Sequence, residues 1–264
     1  SCLGRQRSYP FIATLKYRWD LSVVTEVTPD TVIGLTTEGV EKLLAQDFLT
    51  QDATLCSSSS LPRLFGEEAR SGSSGSYQAT FKRIFELTVQ DRRRMADLYL
   101  SYYDGTSESL FLSDLENKTE VLLVYCDGGL VGFTTVAFYE RRWNNNPILV
   151  VFSGDTIVDQ MHWRQQALAF AWIARMGSLQ REKPGRPVYW FLIVKGHRTY
   201  RYLPTFCNSF YPHWSIDRSD LKPLADVLAH ERFGDAYNHM SGVVGFAESK
   251  GHLKHHVAFP DEKD

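Results

Sequence analysis

The 264-residue sequence lacks the marks of several simple protein classes. Its four cysteines, Cys2, Cys56, Cys126 and Cys207, stand far apart with no CxxC pair. That speaks against a zinc knuckle or a disulfide framework, and they are read as free thiols. No apolar run is long enough to span a bilayer, and the opening SCLGRQRSYP has no apolar signal-peptide core. A cytoplasmic chain with no membrane partner is expected. A large charge of one sign is missing too. With 29 basic against 31 acidic residues the formal net charge is −2, so no global field draws in a polyanion, and a nucleic acid would need a local patch. What the chain does have is 43% hydrophobic and 13% aromatic residues, enough at this length to close a full core.

The stretch from Cys56 to Ser76 contains SSSS and SGSSGS, a composition that buries little and behaves as a flexible linker. It divides the sequence into an appendage over 1–55, a linker over 56–76 and a main domain over 77–264. The appendage has strand-like runs at Phe11–Leu15 and Leu21–Val27 and a short amphipathic helix with Val40, Leu43, Leu44 and Phe48 on one side. It carries no chemical motif, which suits a small packing or partner-binding segment.

Beyond the linker, Thr88 followed by Asp91 three residues later is a capping-box signature, and Met95, Leu98, Tyr99 and Tyr102 recur at helical spacing. Val121–Cys126 and Leu130–Tyr139 flank Asp127-Gly128-Gly129, whose glycines permit the positive φ of a tight hairpin turn. Pro147–Phe152 and Thr156–Val158 form an extended run interrupted by Ser153-Gly154, where a glycine inside a strand signals a bulge or a close backbone approach. His162–Met176 reads as a helix stopped by Gly177. Val188–Val194 is a buried-type strand, Thr199–Phe210 a short helix ended by Pro212, and Leu221–Phe233 a further helix. From residue 80 the order is therefore helix, hairpin, bulged strand, helix, strand, helix.

This order, with its local sequences, resembles the GNAT acyltransferases over residues 80–215. In that family a bulged strand feeds a helix through a loop of pattern Arg/Gln-x-x-Gly-x-Gly/Ala. Here Thr156–Asp159 leads into Arg164-Gln165-Gln166-Ala167-Leu168-Ala169. The resemblance implies an α/β fold with a GNAT-like mixed central sheet flanked by helices, split between the strand ending near Val158 and Val188–Val194. It implies transfer of an acyl group from a thioester, as acyl-CoA or a phosphopantetheine-linked group on an acyl carrier protein, to a small-molecule amine. No metal is implied. Donor contacts would come from Ile157, Val158 and the loop Arg164, Gln165, Gln166, Ala167, Leu168 and Ala169. The first turn of a helix offers unpaired N–H groups and a positive dipole end to a pyrophosphate. Ala167 stands where the family usually has glycine, which tilts the expectation towards a carrier-linked donor.

Such chemistry needs an uncharged attacking nitrogen, a stabilised oxyanion and a proton for the leaving thiolate. A backbone N–H near Ile157–Val158 is the implied oxyanion donor. Asp155 and Asp159 flank it as candidate acceptors of the amine proton, although an Asp beside a turn commonly serves as a cap. Tyr202, seven residues beyond Lys195, matches the family's catalytic tyrosine, with Tyr200 as its neighbour; the plain alternative is a packing tyrosine beside Leu203 and Phe206. Lys195, His197, Arg198 and Arg201 form a local basic cluster suited to a phosphate or an acidic carrier, or simply a solvated face. His252, His255 and His256 have a spacing metal can use but lie on a polar, Lys-rich end. Trp143, Trp163, Trp172, Trp190 and Trp214 suit a core or an apolar substrate tunnel. Two competing readings use the same scaffold: aminoacyl transfer from charged tRNA, and a non-catalytic small-molecule binding protein.

Overall fold

The computed structural model describes residues 9–14, 33–35, 76–163, 165–194, 203, 207, 209–213, 215–246 and 251–258. The expected strand at 21–27, the helix at 40–48 and the linker residues 56–75 lie outside these. So do Arg164, Lys195, His197, Arg198, Tyr200, Arg201, Tyr202 and Trp214. No helix among the described residues is long and apolar enough to cross a membrane.

The first 55 residues contribute β1 (Tyr9–Thr14) and β2 (Ile33–Leu35). β3 (Tyr77–Arg83) follows, then α1 (Val89–Tyr102), β4 (Tyr103–Asp104) and α2 (Glu108–Leu115). The capping box at Thr88 forms as expected, with Asp91 N–H donating to Thr88 Oγ1 at 3.0 Å and Thr88 N–H donating to Asp91 Oδ2 at 3.1 Å. β5 (Glu120–Cys126) and β6 (Gly129–Trp143) make the expected hairpin. Its turn places Asp127 at φ 49° and Gly128 at φ 83°, the left-handed pair a two-residue turn requires. A second hairpin through Asn144 and Asn145 leads into β7 (Asn146–Val158), α3 (Ala167–Glu182) and β8 (Val188–Val194). β9 (Phe210–Tyr211), α4 (Lys222–Phe233), β10 (Tyr237–Asn238), β11 (Val243–Val244), β12 (His252–Leu253) and α5 (His255–Ala258) complete the order.

Eight strands form one sheet in the order β2-β3-β5-β6-β7-β8-β1-β9. Only β7 and β8 run parallel; the other neighbours are antiparallel. A parallel neighbour needs a crossover, which α3 supplies. Alternating residues of each strand send side chains to opposite faces. On one face α3 covers Leu122, Val124, Val136, Val151, Trp190 and Leu192. Arg175 of α3 is clamped there by both oxygens of Glu120, at 3.0 Å from Nε and 2.9 Å from Nη2. The opposite face carries two separate apolar clusters, one under α1 and α2 and one under α4.

Two sequence expectations are corrected. The helix expected at His162–Met176 begins at Ala167 and continues through Gly177 to Glu182. His162 instead closes a 3-10 turn whose cap is Asp159, and Gly177 lies on the buried side of α3, where packing against the sheet overrides its low propensity. Phe210, expected to end a helix, sits in β9 opposite Ala13. That pairing comes from a segment some two hundred residues away, which local patterning does not register.

Candidate active site

β7 and β8 stay paired only from Leu149↔Val188 to Ser153↔Leu192. The last pair is locked by Trp190, whose indole N–H donates to Ser153 Oγ at 2.8 Å in the interior. Immediately afterwards β7 bulges. Val136 opposes Ser153 while Thr134 opposes Thr156, so Gly154 and Asp155 together face Thr135, and the extra residue bends the strand. Beyond it Thr156–Val158 pair with β6 alone, and Ile193 and Val194 pair with β1. The two parallel strands are therefore split from the bulge onward.

Which peptide groups face the split follows from the ladder. Asp159 N–H donates to Val131 O at 2.8 Å, across to β6. Peptide groups alternate along a strand, so the N–H groups of Val158 and Thr156 turn the other way, into the split. Two contacts agree with this phase. Val158 O is taken by Trp163 Nε1–H at 2.8 Å rather than by β6. The Thr134 and Thr156 hydroxyls meet at 2.7 Å, the close approach of a non-hydrogen-bonded pair. Ile157, expected at the donor site, faces the core under α1 and α2, 4% exposed.

The turn after β7 is held from several sides. Asp159 Oδ1 accepts from Met161 N–H at 2.9 Å, Tyr102 OH accepts from Gln160 N–H at 2.6 Å, and the Tyr77 hydroxyl meets His162 Nδ1 at 2.8 Å. At the start of α3, Gln166 is the N-cap but supplies no side-chain cap. Gln165 Oε1 instead accepts from Ala167 N–H at 2.6 Å. The side chains of Ala167 and Leu168 are buried. The N–H groups of Leu168 and Ala169 belong to the first turn, where no intrahelical acceptor exists.

Over the bulge, the two apolar clusters of the far face leave a polar trough between them. Its floor is Thr135, between Phe133 of one cluster and Ala137 of the other, with Gly154 and Asp155 between Phe152 and Ile157. A Cβ on Gly154 would stand 2.5 Å from Thr135 Oγ1 and 2.7 Å from Lys118 Cε, so only glycine fits there without displacement. Lys118 is buried and ion-paired with Asp114. Thr135 Oγ1 is buried with no hydrogen-bond partner among the described residues. Tyr99 and Tyr103, stacked with centroids 4.7 Å apart, close one side. Burial holds both hydroxyls protonated well above the usual tyrosine range, and the nearby Asp155 charge adds to this. On the other side Arg232 lays its guanidinium 3.6 Å from the centre of the Phe152 ring.

Of the residues named from sequence, the structure brings Asp155, Val158 and the start of α3 to the split. Asp159 stands at its end as a turn cap. His252 and His255 lie on β12 and α5, and His252 pairs with Asp104 of β4. Lys118, Thr135, Tyr103 and Arg232 were not foreseen. Only Gly154 signalled a close approach, with nothing to say what approached.

No protein-family model matches the chain, and no curated protein matches its sequence. Solved structures do resemble it. A ribosomal-protein-alanine N-acetyltransferase from Brucella melitensis biovar Abortus is 14% identical, with TM-score 0.39, covering 53% of this chain and 96% of its own. A Trypanosoma brucei acetyltransferase is 15% identical at TM-score 0.37, covering 53% and 99%. Glucosamine-6-phosphate N-acetyltransferase from Arabidopsis thaliana is 12% identical at TM-score 0.36, covering 53% and 95%. The chain's own strand order, its bulged seventh strand and the split from a parallel eighth give it a GNAT-like fold.

Proposed function

We propose that the chain transfers an acyl group from a thioester to an amine. The observation that carries this reading is the split after Ser153↔Leu192, into which the Val158 N–H turns. A thioester lying along that edge presents its carbonyl oxygen to a fixed backbone donor, which favours the charge that develops there during attack. The amine nitrogen adds to the carbonyl carbon, and the oxyanion rests on Val158 N–H. The carbon–sulfur bond then breaks, and its electron pair leaves with sulfur. Asp155 takes the proton released from nitrogen, directly or through water. Tyr202, which lies outside the described residues, is assigned as the donor of a proton to the thiolate, with Tyr200 as its neighbour. Asp159 is assigned a capping role, because its carboxylate already serves Met161 N–H.

The donor reading is a pantetheine thioester. A carrier-linked acyl group is favoured over free acyl-CoA by one observation: the Ala167 N–H at the helix start already has a partner in Gln165. The test incubates the protein with acetyl-CoA or octanoyl-CoA, or with octanoyl-loaded acyl carrier protein, and a panel of amines. Amine-dependent thiol release with a matching N-acyl product by mass spectrometry is expected. Tyr202→Phe should lower kcat by about tenfold to a thousandfold and leave donor affinity unchanged. The absence of amine-dependent thiol release with every donor removes the reading.

A further inference from the structure

We propose that the acceptor carries a carboxylate as well as its amine, with the carboxylate held by Arg232 and the amine lying over the bulge beside Asp155. The acceptor class is then amino acids with a free carboxyl group. This rests on the acyl-transfer reading and adds the substrate class to it.

Elsewhere in the molecule the described arginines that are not exposed are matched by carboxylates. Arg175 is clamped by Glu120 and Glu182, Arg186 meets Glu140, Arg218 meets Asp220, and Arg92 meets Glu116. Glu231, next to Arg232 in sequence, is turned to Arg141 at 2.9 Å. Among the described arginines that are not exposed, Arg232 alone has no carboxylate at ion-pair distance among the described residues. Its guanidinium lies over the ring of Phe152 instead. A guanidinium stays charged in a protein, and a half-buried one without a counter-ion keeps its capacity to grip a carboxylate through two parallel N–H donors. Burial works against the charge of Arg232, and the fields of Asp114, Tyr139 and Asp155 offset this only in part.

Position connects this arginine to the chemistry. Phe152, beneath Arg232, lies three residues before Asp155 on the same strand. Arg232 therefore overlooks the bulge from α4, while Tyr99 and Tyr103 overlook it from the α1 side. The other cation of the trough, Lys118, is neutralised by Asp114, so an incoming anion is directed to Arg232. At the other end, the Asp155 carboxylate and the hydroxyl of Thr135, which has no partner among the described residues, offer acceptor oxygens, which is what an amine requires. One wall of the trough thus offers a guanidinium with no carboxylate at ion-pair distance among the described residues, and the floor offers acceptors. A zwitterion complements both.

The test measures acylation of the common amino acids, β-alanine and 4-aminobutyrate against their carboxamides, with acetyl-CoA, octanoyl-CoA and octanoyl-loaded acyl carrier protein as donors. The acids are expected to be the better substrates of the unmodified chain. Arg232→Met should lower kcat/KM for the acids about tenfold to a hundredfold and leave the carboxamides within about twofold. Arg232→Lys, which keeps the charge but not the fork, should recover part of the loss, and thermal melts should establish that both variants are folded. Equal losses on acids and carboxamides in folded variants, or no preference for acids at the outset, overturn the inference and leave acyl transfer standing. If no amine is acylated at all, the acyl-transfer reading falls. Calorimetric titration with the same amino acids then decides the trough alone: saturable binding abolished by Arg232→Met supports it, and absence of binding overturns it.

Discussion

Trp190 donates its indole hydrogen to Ser153 Oγ at 2.8 Å at the last position where β7 and β8 remain paired. Ser153 is 8% exposed and Trp190 4%, so this buried bond fixes the point where the two strands part. Up to it the sheet is continuous, and after it the bulge turns β7 away.

Ser153→Ala should therefore cost more than one ordinary surface hydrogen bond. It strands the Trp190 N–H in the interior, for a loss of about 1–3 kcal/mol. Urea unfolding followed by tryptophan fluorescence measures it. A midpoint equal to that of the unmodified chain would mean that the indole finds another acceptor.

Gly154→Ala pushes a methyl group against Thr135 Oγ1 and Lys118 Cε. An overpacked interior loses roughly 1–3 kcal/mol. Thr135→Ala vacates one of the two clashing atoms, so in a double-mutant cycle the pair should be less destabilised than the sum of the single changes. Strict additivity would show that the strain is relieved by movement of the bulge itself.

Asp91 gives the fold an acid-sensitive component. Burial alone would raise its carboxyl, but bonds from Lys82 and Thr88 outweigh this and hold it below the usual carboxylate range. A carboxyl depressed in the folded state contributes stability that is fully present above its unfolded value. That contribution drains away as pH falls below about 4, towards the lowered value. Asp91→Asn should weaken the cap by about 1 kcal/mol at neutral pH and flatten the acid limb of a stability-versus-pH curve. An unchanged acid limb would place the sensitivity elsewhere.

The start of α3 can be probed by the donor. Because Gln165 occupies the Ala167 N–H, CoA and 4′-phosphopantetheine should bind with affinities within about tenfold of each other by calorimetry. Gln165→Ala frees that N–H and should tighten CoA selectively. Much tighter CoA binding in the unmodified chain, lost on Arg164→Ala, would establish a pyrophosphate site at this helix and remove the preference for a carrier-linked donor.

Much of the frame was legible without coordinates, because its signals are local. The Thr88–Asp91 box, the glycines at 128 and 129 and the glycine inside the Ser153–Gly154 break each constrain backbone only a few residues away. They foretold α1, the first hairpin and the bulge. The helix break expected at Gly177 does not occur, since propensity at one residue is weak beside the packing of the whole helix on the sheet. The insertion of Tyr9–Thr14 between β8 and β9 could not be read either, because strand pairing carries no local trace of its partner.

The sequence by itself determined where the chain turns, which faces are apolar and that the strand at Gly154 either bulges or is closely approached, since those follow from side-chain periodicity and backbone sterics. Only the tertiary structure decided that Lys118, Thr135, Asp155 and Arg232, drawn from four separate segments, meet over that bulge. Their meeting depends on how two helical groups divide one face of the sheet, a matter of long-range packing that residue spacing along the chain does not encode.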